Sequence, residues 1–163
     1  MFLFDREDAD LFEHVTAQRA WSTGKVYARI CAVGDLRGKY PHRIILSRKL
    51  GRTLIRSELS DHKNGITTDC RRTNLRLASY GENKANMTGS QKNKFTATFK
   101  GVSFYCGKFY TRIQKDKKST YVGRYDDEIQ AALAYDEAAV KIHGDFANLN
   151  FPLYKKEDVL CSL

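Results

Sequence analysis

From residue 108 to 114 the chain alternates, with Phe109, Thr111 and Ile113 on one side of an extended backbone and Tyr110, Arg112 and Gln114 on the other. A period of two is that of a strand with one face in a core and one in water. Strand-like runs flank it from Phe99 to Tyr105 and from Thr120 to Tyr125. The joints are Cys106-Gly107 and the polar stretch Lys115-Asp116-Lys117-Lys118-Ser119, which predicts an antiparallel three-stranded meander. In the third run Val122 and Tyr125 are expected to face the core, and Tyr121 and Arg124 the solvent. A separation of three breaks the alternation, and a bulge at Gly123 restores it. The period then changes. After Asp126-Asp127-Glu128, which suits a capped helix start, Ala131, Ala132, Tyr135, Ala138, Ala139 and Ile142 share one helical face as far as Gly144. So many alanines let a helix lie close against a sheet. The other side of the sheet, carrying Lys100, Lys108, Arg112 and Arg124, is left open for a ligand.

The first half is patterned less regularly. Val26 to Ala32 roughly alternates and predicts a short strand, with Trp21 before it as a core anchor. Tyr40-Pro41-His42-Arg43-Ile44-Ile45-Leu46 leads into a basic stretch ending near Arg56 and reads as a short helix or a strand. Leu59-Ser60-Asp61-His62 is a strand end, Asn64-Gly65 a turn opening a polar loop to Thr73, and Leu75 to Ala78 a second strand. Ser79 precedes Glu82 by three residues, a capping-box spacing that predicts a helix over about 80 to 87. The local order is strand, loop, strand, helix. A polar stretch over 88–98 suits a linker. The expected division is 1–87 as a first module, 88–98 as linker, 99–152 as a sheet-and-helix module and 153–163 as a tail.

Composition adds a partner class. The 163 residues carry a formal charge of +9, concentrated between Lys25 and Tyr125 with acidic stretches on either side. That is a footprint for a polyanion, and nucleic acid is the commonest soluble one. A membrane surface is not expected, since no long basic amphipathic helix or lipidation motif is present. The apolar start, Met1 to Phe4, is too short for a signal peptide or a span, so a cytoplasm is the expected location. Cys31, Cys70, Cys106 and Cys161 form no Cys-x-x-Cys pair and predict neither a zinc knuckle nor a disulfide framework.

The segment from Asp61 to Asn86 holds residue types suited to phosphodiester hydrolysis, which needs a deprotonated water and a Lewis acid for the anionic transition state. His62 can act as general base. Asp61 and Asn83 offer hard oxygens to a divalent metal, Mg²⁺ first and Mn²⁺ as an alternative. Asn74 can tie the two ends of the loop together and fix the His62 backbone, a positioning role. Adjacent strand residues point oppositely, so Asp61 and His62 share a site only at an irregular strand end.

Asp61-His62-x-Asn64-Gly65, Asp69-x-Arg71-Arg72-x-Asn74-Leu75-Arg76 and Glu82-Asn83-x-x-Asn86 resemble the ββα-metal (His-Me finger) motif of HNH homing endonucleases, in the variant ending in Asn. Pro41-His42-Arg43-Ile44-Ile45 is similar to the segment that often precedes it. The resemblance implies His62 as general base, Asp61 and Asn83 as metal ligands, Asn74 as brace, and an α+β chain whose N-terminal nuclease module precedes a three-stranded sheet packed on one helix. The second half, through Lys100-Gly101-Val102, Tyr121-Val122-Gly123-Arg124-Tyr125, Ala131 to Ala139 and Gly144 to Pro152, resembles the plant ethylene-response-factor (APETALA-two type) DNA-binding domain. There the resemblance implies a sheet in the major groove with Lys100, Ser103, Tyr105, Lys108, Arg112, Gln114, Tyr121 and Arg124 facing DNA, and Tyr135 as a further candidate. The tryptophan usual in the third strand is Tyr121 here, and Ser103 and Tyr105 stand where arginine is common.

The expected function is a metal-dependent DNA endonuclease acting on double-stranded DNA in a bacterial host cytoplasm, with no obligate protein partner. The alternative is a DNA-binding regulator with an inactive nuclease module. A third reading is an RNA binder stacking bases on Tyr105, Tyr110 and Tyr121.

Overall fold

A computed structural model describes residues 1–20, 25–31, 34–87 and 97–152. Trp21, most of the expected linker, Cys161 and the tail at 153–163 lie outside the described residues. The chain is α+β and divides into two compact units, Met1–Asn83 and Lys84–Leu163.

In the first unit a 3-10 run, Arg6–His14, leads into strand β1 (Val15–Arg19), which pairs antiparallel with β2 (Val26–Ile30), Ala17 opposite Ala28. Ala28 and Ile30 enter the core, while Arg29 on the other face donates to Gln18 Oε1 at 2.8 Å. The segment readable as helix or strand is helix α1 (Pro41–Leu50). Pro41 is set for the first turn, where no intrahelical N–H is needed, and Gly51 ends the helix at φ 66°, a left-handed conformation that glycine adopts without strain. Strands β3 (Leu59–His62) and β4 (Leu75–Ala78) pair with Asp61 opposite Arg76 and His62 opposite Leu75, and α1 packs on β2, β3 and β4. Helix α2 (Tyr80–Asn86), which belongs to the second unit from Lys84 onward, begins with the predicted capping box: Ser79 N donates to Glu82 Oε2 at 2.7 Å and Glu82 N to Ser79 Oγ at 3.3 Å.

Leu11, Ala28, Ile30, Ile45, Leu46, Leu54, Cys70 and Leu75 form the core of this unit, with Phe2 and Phe4 packed against it. The apolar start is thus a packing segment. Leu3 accepts from Cys70 N at 2.9 Å and donates to Thr68 O at 3.0 Å, clipping the N-terminus to the loop between β3 and β4. The acidic stretch behind it is internal too. Asp8 is fully buried between Arg48 and Arg72, at 3.1 and 2.7 Å, and Asp5 accepts from Arg72 N at 2.6 Å.

The second unit holds the sheet β5-β6-β7, with β5 Val102–Tyr105, β6 Lys108–Lys115 and β7 Lys118–Tyr125, and helix α3 (Glu128–His143). Both hairpins close in two residues, Cys106-Gly107 and Asp116-Lys117, and all four have positive φ. Two-residue loops of that handedness match the twist of the paired strands. The first strand starts at Val102 and not Phe99, because Gly101 turns the chain at φ 77° and Phe99 packs on Phe151, ring centroids 5.2 Å apart. Thr111 faces Gly123 and Arg112 faces Tyr121, so the extra residue of the expected bulge is Val122. It turns into the core with Ile113, Tyr135 and Ala139. Asp127 caps α3 by accepting from Gln130 N at 2.9 Å, and the buried Thr111 hydroxyl donates to Ala131 O at 2.8 Å, pinning sheet to helix. Asp136, fully buried on α3, accepts from Asn150 N, Asn150 Nδ2 and Phe151 N at 2.8 to 3.2 Å and fastens the returning chain.

Candidate nucleic-acid interface

The period-two pattern of β6 sets the interface. Phe109, Thr111 and Ile113 turn toward α3, and Tyr110, Arg112 and Gln114 turn away. Cross-strand pairing then brings neighbours onto the outward face: Tyr105 opposite Lys108, Ser103 opposite Tyr110, Tyr110 opposite Arg124 and Arg112 opposite Tyr121. Seven of the eight expected DNA-facing residues, Ser103, Tyr105, Lys108, Arg112, Gln114, Tyr121 and Arg124, therefore share one face. Tyr105 is 69% exposed and Tyr121 55%. Tyr110 joins them, its ring centroid 6.4 Å from that of Tyr105.

Lys100 is placed differently. Its Nζ donates to Ala85 O and Met87 O, both at 2.8 Å, closing the carboxyl end of α2, and lies 5.9 Å from the centre of the Tyr135 ring. Burial lowers its pKa to about 8. Tyr135 itself is buried beneath Gly101, so it belongs to the core and not to the open face. Of the outward cations, Lys108 is ion-paired with Asp126, whereas Arg112 and Arg124 have no ion pair among the described residues. Gln114 Oε1 accepts from Lys84 Nζ at 3.2 Å. Lys84, on α2, was not foreseen, since the two residues lie 30 positions apart with nothing in the sequence to join them.

The Asp61 to Asn86 segment has a different character. Asn74 does bridge the loop ends: its Oδ1 accepts from Asn64 N at 3.1 Å and its Nδ2 donates to Asp69 O at 2.7 Å, while its own carbonyl accepts from Lys63 N at 2.9 Å. Asp69, held by Arg71 at 2.7 Å, accepts also from Asn64 Nδ2 at 3.0 Å. His62 is 5% exposed, in edge contact with His42, ring centroids 5.0 Å apart. Burial lowers the pKa of His62 to about 4 and that of His42 to about 3. A base at about 4 is neutral near pH 7 but weak. The Asp61 carboxylate accepts from Arg76 Nε at 2.8 Å, so a cation there would share or displace a guanidinium. Asn83 is half-buried on α2 with its N–H on Ser79 O at 3.0 Å. Asn86 is 6% exposed, and its carbonyl accepts from Asn148 Nδ2 at 2.8 Å. The described residues hold no group of three His, Cys, Asp or Glu side chains placed for a metal.

The arginines around this segment are also committed. Arg48 pairs with Asp8 and Asp10, Arg52 with Glu58, Arg71 with Asp69, Arg72 with Glu7 and Asp8, and Arg76 with Asp61. The positive charge read from sequence across the middle of the chain is thus partly compensated in the first unit.

No family model matches the chain. Sixty-seven residues, 40% of it, are 39% identical to APETALA2-like protein 2 of rice, of which they cover 15%. A stretch of 67 residues is 37% identical to the AP2-like ethylene-responsive transcription factor TOE2 of Arabidopsis thaliana, covering 14% of it, and 70 residues are 34% identical to the Arabidopsis ethylene-responsive transcription factor ERF026, covering 28%. The chain therefore spans well under a third of the relatives it matches. About 40% of it is similar to an APETALA2/ethylene-response-factor type of domain, with which the three-stranded sheet and its helix agree. The two Arabidopsis relatives are named as transcription factors, and none of the three is named as a nuclease. The expectation of an HNH endonuclease is overturned on that finding; the segment from Asp61 to Asn86 supplied the residue types of hydrolysis, which do not by themselves make a nuclease.

Proposed function

We propose that this protein is a DNA-binding regulator, without enzymatic activity, whose open sheet face docks on double-stranded DNA. One observation carries the reading. The face turned away from α3 brings together seven side chains suited to nucleic acid, with Arg112 and Arg124 held at cross-strand neighbours of tyrosines and outside any direct ion pair among the described residues. Guanidiniums so placed can take phosphate oxygens or the O6 and N7 acceptors of guanine. The similarity to domains of transcription factors supports the same partner and a regulatory role.

Fluorescence anisotropy with a labelled duplex pool tests it. Wild type should bind duplex in a salt-dependent manner, and Arg112→Ala with Arg124→Ala should weaken binding about tenfold or more while the fold, followed by circular dichroism, is kept. Equal binding by the double variant would remove the sheet face as the interface. Preference for single-stranded or hairpin RNA in competition would redirect the reading to the exposed tyrosines.

A further inference from the structure

The geometry points to Lys84 as a specificity-determining positioning residue, which orients the Gln114 amide so that the open face presents a donor to DNA. The inference rests on the proposed binding of duplex DNA by that face. An ammonium has donors and no acceptor, so the Gln114 atom that Lys84 Nζ meets at 3.2 Å is the amide oxygen. The amide NH₂ then lies at the opposite edge of the planar amide, away from Lys84. A free glutamine reads adenine in two contacts, accepting from N6 and donating to N7. With its oxygen engaged by Lys84, Gln114 is biased toward donating, which suits an edge made only of acceptors. Guanine, with N7 and O6, offers that edge in the major groove.

Lys84 is held where this requires. It lies in the last turn of α2, and that turn is fastened at three carbonyls: Ala85 O and Met87 O by Lys100 Nζ, and Asn86 O by Asn148 Nδ2, each at 2.8 Å. Ala85 and Asn86 are buried while Lys84 remains exposed. The anchoring fixes the backbone, and the lysine stem reaches from it to the edge of the reading face. Lys100 thus has a place in recognition without touching the ligand.

The test is selection of bound sequences from a randomised duplex pool by wild type, Lys84→Met, Lys84→Arg and Gln114→Ala, with thermal melting of each. The position whose preference disappears in Gln114→Ala identifies the base read by Gln114. There wild type should favour guanine over adenine, Lys84→Met should admit adenine with about tenfold loss of discrimination, and Lys84→Arg, which keeps a donor, should restore the preference. A Lys84→Met profile identical to wild type at that position, with affinity lowered evenly, would overturn the inference and make Lys84 a phosphate contact. The absence of any Gln114-dependent position would also overturn it while leaving duplex binding intact. Failure of wild type to bind duplex at all would remove the parent reading and this one together.

Discussion

A Cβ on Gly101 would overlap the Tyr135 ring, and the residue sits at φ 77°, so two independent constraints require glycine there. Gly101→Ala should destabilise the second unit by about 3 kcal/mol, from ring displacement and left-handed strain combined, read as a lowered thermal midpoint. An unchanged midpoint would mean that Tyr135 can rotate away freely. In the first unit His62 and His42 illustrate the opposite problem, a residue type whose environment the sequence hides. Burial opposes protonation of both rings, so the unfolded chain takes up protons first, near the ordinary pKa of 6.5. The stabilising contribution is full above that value and is lost as pH falls through about 4 for His62 and about 3 for His42. Urea midpoints should therefore drop between about pH 7 and about pH 4.5, and His62→Gln should flatten part of that drop. The Asp61 to Asn86 segment was legible at this scale only as residue types. Asp61, His62 and Asn74 could be named, and the loop-bridging role of Asn74 followed from its chemistry. That Arg76 sits on Asp61 depends on the β3 to β4 register, which no local pattern dictates.

At the level of elements, the Asp116-Lys117 turn closes the β6 to β7 hairpin with φ of 48° and 66°. Aspartate tolerates that region but lysine does not favour it, and β-turns of this hand prefer Asn-Gly or Asp-Gly. Lys117→Gly should stabilise the second unit by about 1 kcal/mol. A fall in the thermal midpoint would show that the lysine packs or pairs in a way that outweighs its strain. The meander, the capped α3 and the Ser79 capping box were legible because each rests on a local rule: period two, a side-chain cap, a three-residue spacing. β1 was not, since Val15 to Arg19 has no clean alternation and becomes a strand only by pairing with β2. The Pro41 to Leu50 segment stayed ambiguous because Ile44, Ile45 and Leu46 are consecutive, a run that serves a buried strand or a helix equally. Tertiary contact with three strands resolves it as α1.

Over the whole molecule, the net charge of +9 does not show where the cations stand, and in the first unit Arg48, Arg52, Arg71, Arg72 and Arg76 are ion-paired with acids. The second unit holds its charge more openly, with one exception on the reading face, the pair of Lys108 and Asp126. Asp126 is exposed, and its carboxyl is held below the usual range by the Lys108 ammonium, so the pair is intact near pH 7. In binding, such a pair offsets a cation that could otherwise neutralise a phosphate and release its counterion. Asp126→Asn should therefore tighten duplex binding and steepen the dependence of log affinity on log salt by about one unit, the size of one added phosphate contact. The double variant Lys108→Met with Asp126→Asn, which removes both members of the pair, should keep a slope near wild type, and Lys108→Met alone should weaken binding because Asp126 is left uncompensated beside the phosphates. If Asp126→Asn binds with an unchanged slope, Lys108 does not reach the backbone, and the electrostatic part of binding falls to Arg112, Arg124 and the lysines of the β6 to β7 hairpin.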